Sequence, residues 1–182
     1  SLKLYSYYVD YLCVHKHHRN SGIAPQQIQT HYYHQRRMNP DIHVNLFKRE
    51  GKLTGIVPLC VYSTYLFNST SLGFRDNVKE LPVIYKKVSC SPDSMRHLIE
   101  FMKKSGEIFE ITISPDLSNI MDLIKSETYY IDYIVDTTNH NEIVACYVFK
   151  KTNVISDNNK NVIACIASVK SPKFDPDLFF TG

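Results

Sequence analysis

The sequence predicts a mixed α/β (α+β) protein in which helices flank a mixed sheet. Three observations support this prediction: a strand-like segment that passes through a glycine turn into a helix over residues 9–25, two Ser-Pro-Asp helix starts in mid-chain, and three strand-like segments after residue 128. Segments that change from strand to helix and back to strand are typical of domains whose helices cover one or both faces of a sheet.

Length, composition and charge limit the classes of protein to which the chain can belong. Its 182 residues, 43% apolar and 21% charged, are enough for one globular domain or two small ones. Because the sequence contains neither a long apolar run nor a signal-peptide pattern, we expect a cytoplasmic protein with no membrane span. The net charge of +3 suits an anionic cofactor and is low for a nucleic-acid binder, so we expect no nucleic-acid partner. The sequence gives no indication of oligomeric state.

Cysteines and histidines do not form a metal-binding pattern. The five cysteines are widely spaced and include no C-x-x-C pair, so we expect buried thiols and no disulfide framework. His31 and His34 have helical spacing, but no acidic or thiolate partner lies at a suitable distance along the chain. We therefore expect no metal.

In the first half, the pattern predicts a strand, a turn, a helix and a second strand. Residues 2–14 are predicted to form a strand that is apolar on both faces from Val9 to Val14, which is typical of a central strand. Pro25 suits the first position of a helix over residues 26–38, with Ile28, Tyr32 and Gln35 on one face. A strand is predicted over residues 43–47. Residues 56–67 fit either a strand or a short buried helix, and residues 68–80 a polar connector.

The second half is predicted to contain one strand, two helices and an antiparallel meander. A strand over residues 81–88 precedes helices that begin at Ser91-Pro92-Asp93 and at Ser114-Pro115-Asp116 and extend to residues 104 and 124. The meander consists of strands over residues 129–135, 143–150 and 162–169, with turns at residues 139–141 and 157–159.

The strand–turn–helix order around residue 20 predicts an anion-binding site. A glycine turn followed by a helix start leaves backbone N–H groups without partners, and the helix dipole favours negative charge there. A phosphate group is the expected ligand. The residues predicted to surround it are Arg19, Asn20, Ser21, Gly22, Ile23 and Ala24.

The same stretch resembles two related groups of acyltransferases. Arg19-x-x-Gly22-x-Ala24 matches the R/Q-x-x-G-x-G/A signature of the GNAT superfamily. The segment from Tyr11 to Lys16, with Arg19 and Ala24-Pro25, resembles the F-L-C-V-H-K-x-x-R-S-x-R-x-A-P segment of the N-myristoyltransferases. The resemblance extends to Cys60-x-Tyr62, to Asn68 and to the segment over residues 130–135.

This resemblance implies a GNAT-like mixed sheet flanked by helices and an acyl-CoA-dependent activity. Residues 1–70 would be the C-terminal part of a first GNAT-like half that carries the acyl-CoA motif, and residues 81–182 the N-terminal part of a second half. The expected reaction is transfer of a fatty acyl group from acyl-CoA, with myristoyl-CoA as the expected donor, to a peptide or protein N-terminal amine.

The resemblance also implies roles for individual residues. The backbone N–H groups of Tyr11 and Leu12 would form the oxyanion hole, and Cys13 and Val14 would follow the acyl-pantetheine arm. The six residues from Arg19 to Ala24 would hold the phosphates of coenzyme A. Cys13 is not expected to act as a nucleophile, because burial in an apolar strand would raise the pKa of its thiol.

The chain also departs from the family pattern. Gly22 occupies the position of a basic residue, and Thr64 that of a histidine that contacts the peptide. Two alternatives to an enzyme therefore stay open: a non-catalytic domain that binds acyl-CoA or a peptide, and an interaction module without a ligand.

Overall fold

A computed structural model describes residues 3–9, 12–49, 57–67, 80–114, 116–155 and 161–181. The chain divides into two compact units, Ser1–Tyr65 and Leu66–Gly182. Helices and strands are present in both units, so the predicted mixed α/β class is confirmed. No helix among the described residues is both long enough and apolar enough to cross a membrane.

The N-terminal unit contains two parallel strands that are joined through a helix. Strand β1 (Ser6–Val9) pairs with β2 (Val44–Phe47), in a register that runs from Ser6 opposite Val44 to Val9 opposite Phe47. Helix α1 (Ile23–Met38) lies between them in the chain, after a short 3-10 turn (Lys16–His18). Parallel strands need such a crossover connection. The second predicted strand is confirmed, and α1 begins two residues before Pro25, the predicted first helical residue.

The predicted first strand is confirmed over Ser6–Val9, but the prediction that it continues through residues 12–14 as a central strand is wrong; residues 10–11 lie outside the described residues. Strand β1 ends at Val9 and forms one edge of a two-stranded sheet, and residues 12–15 are in neither a strand nor a helix. The side chains of Leu12 and Cys13 are exposed. The cause is the length of the partner strand: β2 has four residues, so the ladder of hydrogen bonds ends where β2 ends. An apolar run does not extend a strand that has no neighbour to pair with.

Two further predictions from the first half of the chain are wrong. Residues 57–67 form neither a strand nor a helix, and their apolar side chains are exposed, including Val57 at 92%. On α1, Ile28 and Tyr32 are exposed while Gln35 is buried, so the predicted apolar stripe does not face a core. Most of the predicted connector over residues 68–80 lies outside the described residues.

The C-terminal unit is built on a four-stranded antiparallel sheet in the order β3-β4-β5-β6. Its strands are β3 (Tyr85–Ser89), β4 (Tyr129–Asp136), β5 (Glu142–Ile155) and β6 (Asn161–Lys170). The predicted meander is therefore confirmed, with β3 added at one edge. His140 and Asn141 have φ values of 51° and 57°, as expected for the turn between β4 and β5. The second predicted turn, at residues 157–159, lies outside the described residues.

Three helices belong to this unit, and the sequence predicted two of them. Helix α2 (Met95–Gly106) follows a 3-10 turn (Pro92–Ser94), and helix α3 (Leu117–Lys125) begins after Asp116. Both predicted helices are confirmed, although Pro115 lies outside the described residues. Helix α4 (Pro176–Thr181) was not predicted. Asp175-Pro176-Asp177 is the same kind of helix start as the other two, and Asp175 Oδ1 accepts a hydrogen bond from the Asp177 N–H at 2.7 Å.

Alternate residues of β4 and β5 contribute to two apolar clusters, as expected for the two faces of a sheet. In the first, Leu98 and Met95 of α2 pack against Tyr133 and Cys146. In the second, Ile134 and Ala145 pack against Phe174, which is 2% exposed. Helix α4 is fixed on the second face, where the ring of Phe179 stacks on that of Tyr147 with centroids 5.1 Å apart.

Candidate functional site

The predicted phosphate-binding residues form a tight turn, Arg19 to Gly22, and the first two positions of α1, Ile23 and Ala24. Asn20 and Gly22 have positive φ values of 65° and 78°, which place both in the left-handed region. Asparagine and glycine are the residues that adopt this conformation at least cost. Ser21 Oγ donates a hydrogen bond to the His18 carbonyl at 2.5 Å and so closes the turn. The six residues from Arg19 to Ala24 therefore occupy this turn and the helix start that follows it.

The start of α1 leaves backbone donors without partners inside the helix. Gly22 is the N-cap and has no side chain that could accept from the first amides, and the first bond of the helix runs from Gln26 N–H to the Gly22 carbonyl at 3.3 Å. The N–H groups of Ile23 and Ala24 thus lack intrahelical acceptors. A left-handed residue followed by a right-handed one forms a nest, in which successive N–H groups point towards a shared anion.

Pro25 occupies a different helical position from the one predicted. Because α1 begins at Ile23, Pro25 is the third helical residue and not the first. A proline at this position still costs no hydrogen bond, since the first turn of a helix has no acceptor for its N–H groups. The early start also gives the turn two free amides, from Ile23 and Ala24.

The charge around the turn is positive. Lys16, His17 and His18 form the 3-10 turn that precedes it, and Arg19 follows directly. The first turn of α1 contains no acidic residue. Arg19 Nε donates to the Val14 carbonyl at 3.4 Å, which connects the upstream segment to the turn. Local cations and a helix N-terminus together favour a bound anion.

The residues predicted to contact the thioester and the acyl arm, Tyr11 to Val14, are not held in a regular element as the residues of the turn and α1 are. Tyr11 lies outside the described residues. Leu12 and Cys13 are exposed and lie outside a strand, whereas Val14 is half-buried. Among the described residues, none accepts a hydrogen bond from the Leu12 N–H. Since Leu12 lies outside a strand, no strand neighbour among the described residues fixes the direction of this N–H group.

The cysteines differ from the prediction of buried thiols. All five are free; Cys146 is buried, Cys90 is half-buried, and Cys13, Cys60 and Cys165 are exposed. Burial raises the pKa of the Cys146 thiol to about 12. Since Cys13 is exposed, the argument that burial makes its thiol inert does not apply. No group of three or more His, Cys, Asp or Glu side chains in the described part of the chain could hold a metal ion.

Two surface grooves were not predicted from the sequence. The first, of about 430 Å³, follows the exposed side of α1 from the Gly22 turn; it is lined by Ile23, Gln26, Gln27, Thr30, His31 and His34. Ile23 belongs to both the groove and the turn. The second, of about 540 Å³, lies between α2 and α3 and includes Arg96, His97 and Glu100. Only the i, i+3 spacing of His31 and His34 gave a sequence signal for the first groove.

No protein-family model matches the chain, and no curated protein matches it.

Proposed function

We propose that the chain is an acyl-CoA-dependent N-acyltransferase of the N-myristoyltransferase type. The observation that carries this proposal is the turn from Arg19 to Ala24, with its two left-handed residues and its free amides at the start of α1. A turn of this kind between a strand and a helix is suited to the pyrophosphate of a coenzyme A. Myristoyl-CoA is the proposed donor, and a peptide or protein N-terminal amine the proposed acceptor.

The proposed reaction is direct transfer between the two substrates. The turn holds the phosphates, while Cys13 and Val14 lie along the pantetheine arm and the thioester carbonyl accepts from the N–H groups of Tyr11 and Leu12. The acceptor nitrogen attacks the carbonyl carbon as a neutral amine, and the carbon–sulfur bond then breaks. The proton that the nitrogen loses passes through solvent to the departing thiolate, so that the amide and the free thiol of coenzyme A are released. Backbone donors aimed at the developing oxyanion lower the barrier of such a step by several kcal/mol. The attack needs no nucleophile from the protein.

A second function is favoured by one observation, the exposed position of Leu12 outside a strand. An oxyanion donor whose direction is not fixed stabilises a transition state poorly, because preorganisation supplies most of the effect. In this alternative the chain binds acyl-CoA or a peptide without turnover. The phosphate site is the same in both functions.

Calorimetric titration with myristoyl-CoA and acetyl-CoA tests the site, and release of free coenzyme A thiol in the presence of an N-terminal glycine peptide tests turnover. We expect myristoyl-CoA to bind and the thiol to be released. Binding without release would favour the alternative, and no binding of either acyl-CoA would contradict both functions.

The Cys13→Ala variant should still release coenzyme A thiol, since Cys13 forms no covalent bond in the proposed reaction.

A further inference from the structure

The positive charge of the chain is concentrated in its N-terminal unit. Residues 1–65 contain eight Lys and Arg residues and three acidic residues, whereas residues 66–182 contain more acidic than basic residues. No acidic residue occurs between Tyr11 and Pro40, a stretch that includes the whole of α1. The net charge of +3, on which the expectation of no nucleic-acid partner is based, is therefore an average of a basic unit and an acidic one.

Helix α1 carries two tyrosine–arginine pairs at i, i+4 spacing. The guanidinium carbon of Arg36 lies 5.9 Å from the centre of the Tyr32 ring, and that of Arg37 lies 5.8 Å from the centre of the Tyr33 ring. Each guanidinium also donates a hydrogen bond to the hydroxyl of its tyrosine, at 3.5 and 3.4 Å respectively. Because consecutive residues are about 100° apart around a helix, the two pairs lie side by side. We call these four residues the Tyr-Arg face.

The Tyr-Arg face is accessible to a ligand. Tyr32 is 42% exposed and Tyr33 is 57% exposed, and both arginines are exposed. Among the described residues, no carboxylate forms an ion pair with either guanidinium, and Arg36 Nη1 donates instead to Nδ1 of the exposed His43. None of the four residues lines the groove along α1, so the face is a separate surface of the helix.

The position of the arginines at the end of a helix does not account for the whole face. Cations in the last turn are favoured by the helix dipole, and α2 has the same arrangement in Lys103 and Lys104. One turn before those lysines α2 has Ile99 and Glu100, where α1 has two exposed tyrosines. The dipole explains adjacent cations, but it does not explain aromatic rings placed next to them in solvent.

A face that combines exposed aromatic rings with cations that lack carboxylate partners fits a single-stranded nucleic acid. The planar guanidinium of arginine can donate two parallel hydrogen bonds to one phosphate. Unpaired bases present flat rings that stack on tyrosine, largely independently of base sequence. A duplex keeps its bases stacked on one another, so the tyrosines would gain nothing from it. The charge and the ring surface together therefore favour a single strand.

We propose that the Tyr-Arg face of α1 binds single-stranded nucleic acid, with phosphates at Arg36 and Arg37 and bases stacked on Tyr32 and Tyr33. The face lies outside the turn from Arg19 to Ala24, so this binding goes beyond the proposed acyl-CoA function and does not depend on it. Phosphate contacts and stacking carry little sequence information, and we expect little preference among base sequences.

Fluorescence anisotropy of a labelled oligouridylate of about 16 nucleotides, titrated with the full chain at several salt concentrations, tests this proposal. We expect saturable binding whose association constant falls as salt rises. Replacing Arg36 and Arg37 together by Ala should reduce the slope of log K against log salt by about 1.4, since a single strand releases about 0.7 counterion per neutralised phosphate. Replacing Tyr32 and Tyr33 together by Leu should keep the slope and weaken binding about tenfold or more, because base stacking is lost.

The matched control replaces Lys103 and Lys104 together by Ala. This change also removes two adjacent exposed cations from the last turn of a helix, and it should alter neither the affinity nor the salt slope. Heparin provides a second comparison, because it is a polyanion without bases. We expect the unmodified chain to bind heparin with the same affinity as the tyrosine variant does, since no ring stacks on it.

The outcomes separate this proposal from the acyl-CoA function. No binding of oligouridylate, or an equal loss of affinity in the arginine variant and in the lysine control, would contradict it. Full affinity for oligouridylate in the tyrosine variant would also contradict it, because the face would then be a site for any polyanion. Calorimetry with myristoyl-CoA is a separate measurement, and a failure of acyl-CoA to bind would leave oligouridylate binding at the Tyr-Arg face as expected.

Discussion

At the scale of single residues, the proposed anion site depends on the backbone conformation of Gly22. Its φ of 78° is a left-handed conformation, and a Cβ built there meets no atom within 4 Å. A substitution is therefore opposed by backbone strain and not by a clash within the protein. For an L-residue this strain is about 1–2 kcal/mol, and it is largest for β-branched side chains.

We expect Gly22→Val to weaken binding of acyl-CoA strongly and to lower the free energy of unfolding of the N-terminal unit by about 1–2 kcal/mol. Titration calorimetry and denaturant unfolding measure the two effects. The matched control is Asn20→Gly at the neighbouring left-handed position, where φ is 65° and glycine relieves strain. Unchanged binding by the Gly22 variant would mean that the backbone at this turn does not approach the ligand.

Asp116 provides a pH dependence of stability that can be assigned to one residue. Its carboxylate accepts hydrogen bonds from the side chain and N–H of Ser118, the latter at 2.9 Å, and from the Asn119 N–H at 3.4 Å. These bonds, that of the Ser118 side chain most of all, hold the pKa of Asp116 below its usual value. The folded state therefore binds the proton less readily than the unfolded state does. The stabilisation is complete above about pH 4 and is lost as the pH falls through the lowered pKa.

We expect the Tm of the C-terminal unit to fall as the pH is lowered from about 4 to about 2, and to fall less in Asp116→Asn. Asparagine still caps a helix but carries no titrating group. Differential scanning calorimetry at several pH values measures the difference. Asp122→Asn, on the same helix, is the control and should retain the fall of the unmodified chain. An identical fall in Asp116→Asn would show that the cap does not contribute to the acid sensitivity.

At the scale of elements, helix α2 packs on one face of the sheet and contributes side chains to the first apolar cluster. Leu98 on α2 has no exposed surface and packs in the cluster that includes Tyr133 and Cys146. Its truncation removes apolar contacts and leaves a cavity that the sheet cannot close. The cost of such a substitution is about 2–5 kcal/mol.

We expect Leu98→Ala to lower the free energy of unfolding of the C-terminal unit by about 2–5 kcal/mol without a change in the denaturant m-value. Lys103→Ala, on the exposed side of the same helix, is the control and should change it by less than about 0.5 kcal/mol. Equal effects of the two substitutions would contradict the packing of α2 on the sheet.

The elements that were predicted correctly are those whose signals are local. Helix α3 forms as predicted, although its cap is Asp116 and not Ser114, and the left-handed His140 and Asn141 form the expected turn between β4 and β5. Helix α4 was not predicted, although Asp175 begins it in the same way. The strand over residues 9–14 failed because strand length depends on a partner that is distant in sequence, and β2 ends at Phe47.

The candidate site was predicted in the same uneven way. The turn from Arg19 to Ala24 could be predicted because a glycine turn before a helix is a local pattern. The exposure of Leu12 and Cys13 could not be predicted in this way, and neither could the groove along α1. These features depend on which side chains the fold covers. Apolar composition alone does not determine burial.

At the scale of the whole molecule, the two units differ in how much core they contain. Every buried apolar residue among the described residues belongs to the C-terminal unit, whereas Gln35 is the buried residue of the N-terminal unit. Local opening costs least where few apolar contacts are broken. We therefore expect the backbone amides of α1 to exchange hydrogen much faster than those of β4 and β5.

Ligand binding should slow hydrogen exchange at the candidate site and so reduce the difference in exchange rate between the two units. With free acyl-CoA at about 100 times its Kd, mass action stabilises the bound conformation by about 2.7 kcal/mol, so exchange at residues 12–26 should slow by up to about 100-fold. Hydrogen exchange followed by mass spectrometry measures this in peptides from both units of one sample. Peptides from β5 are the internal control, and their exchange should not change. In Gly22→Val the slowing should be lost, because the substitution strains the turn that is proposed to hold the phosphates. Slow exchange of α1 without ligand would contradict the expected weakness of the N-terminal unit, and ligand-induced slowing confined to β5 would place the anion site elsewhere.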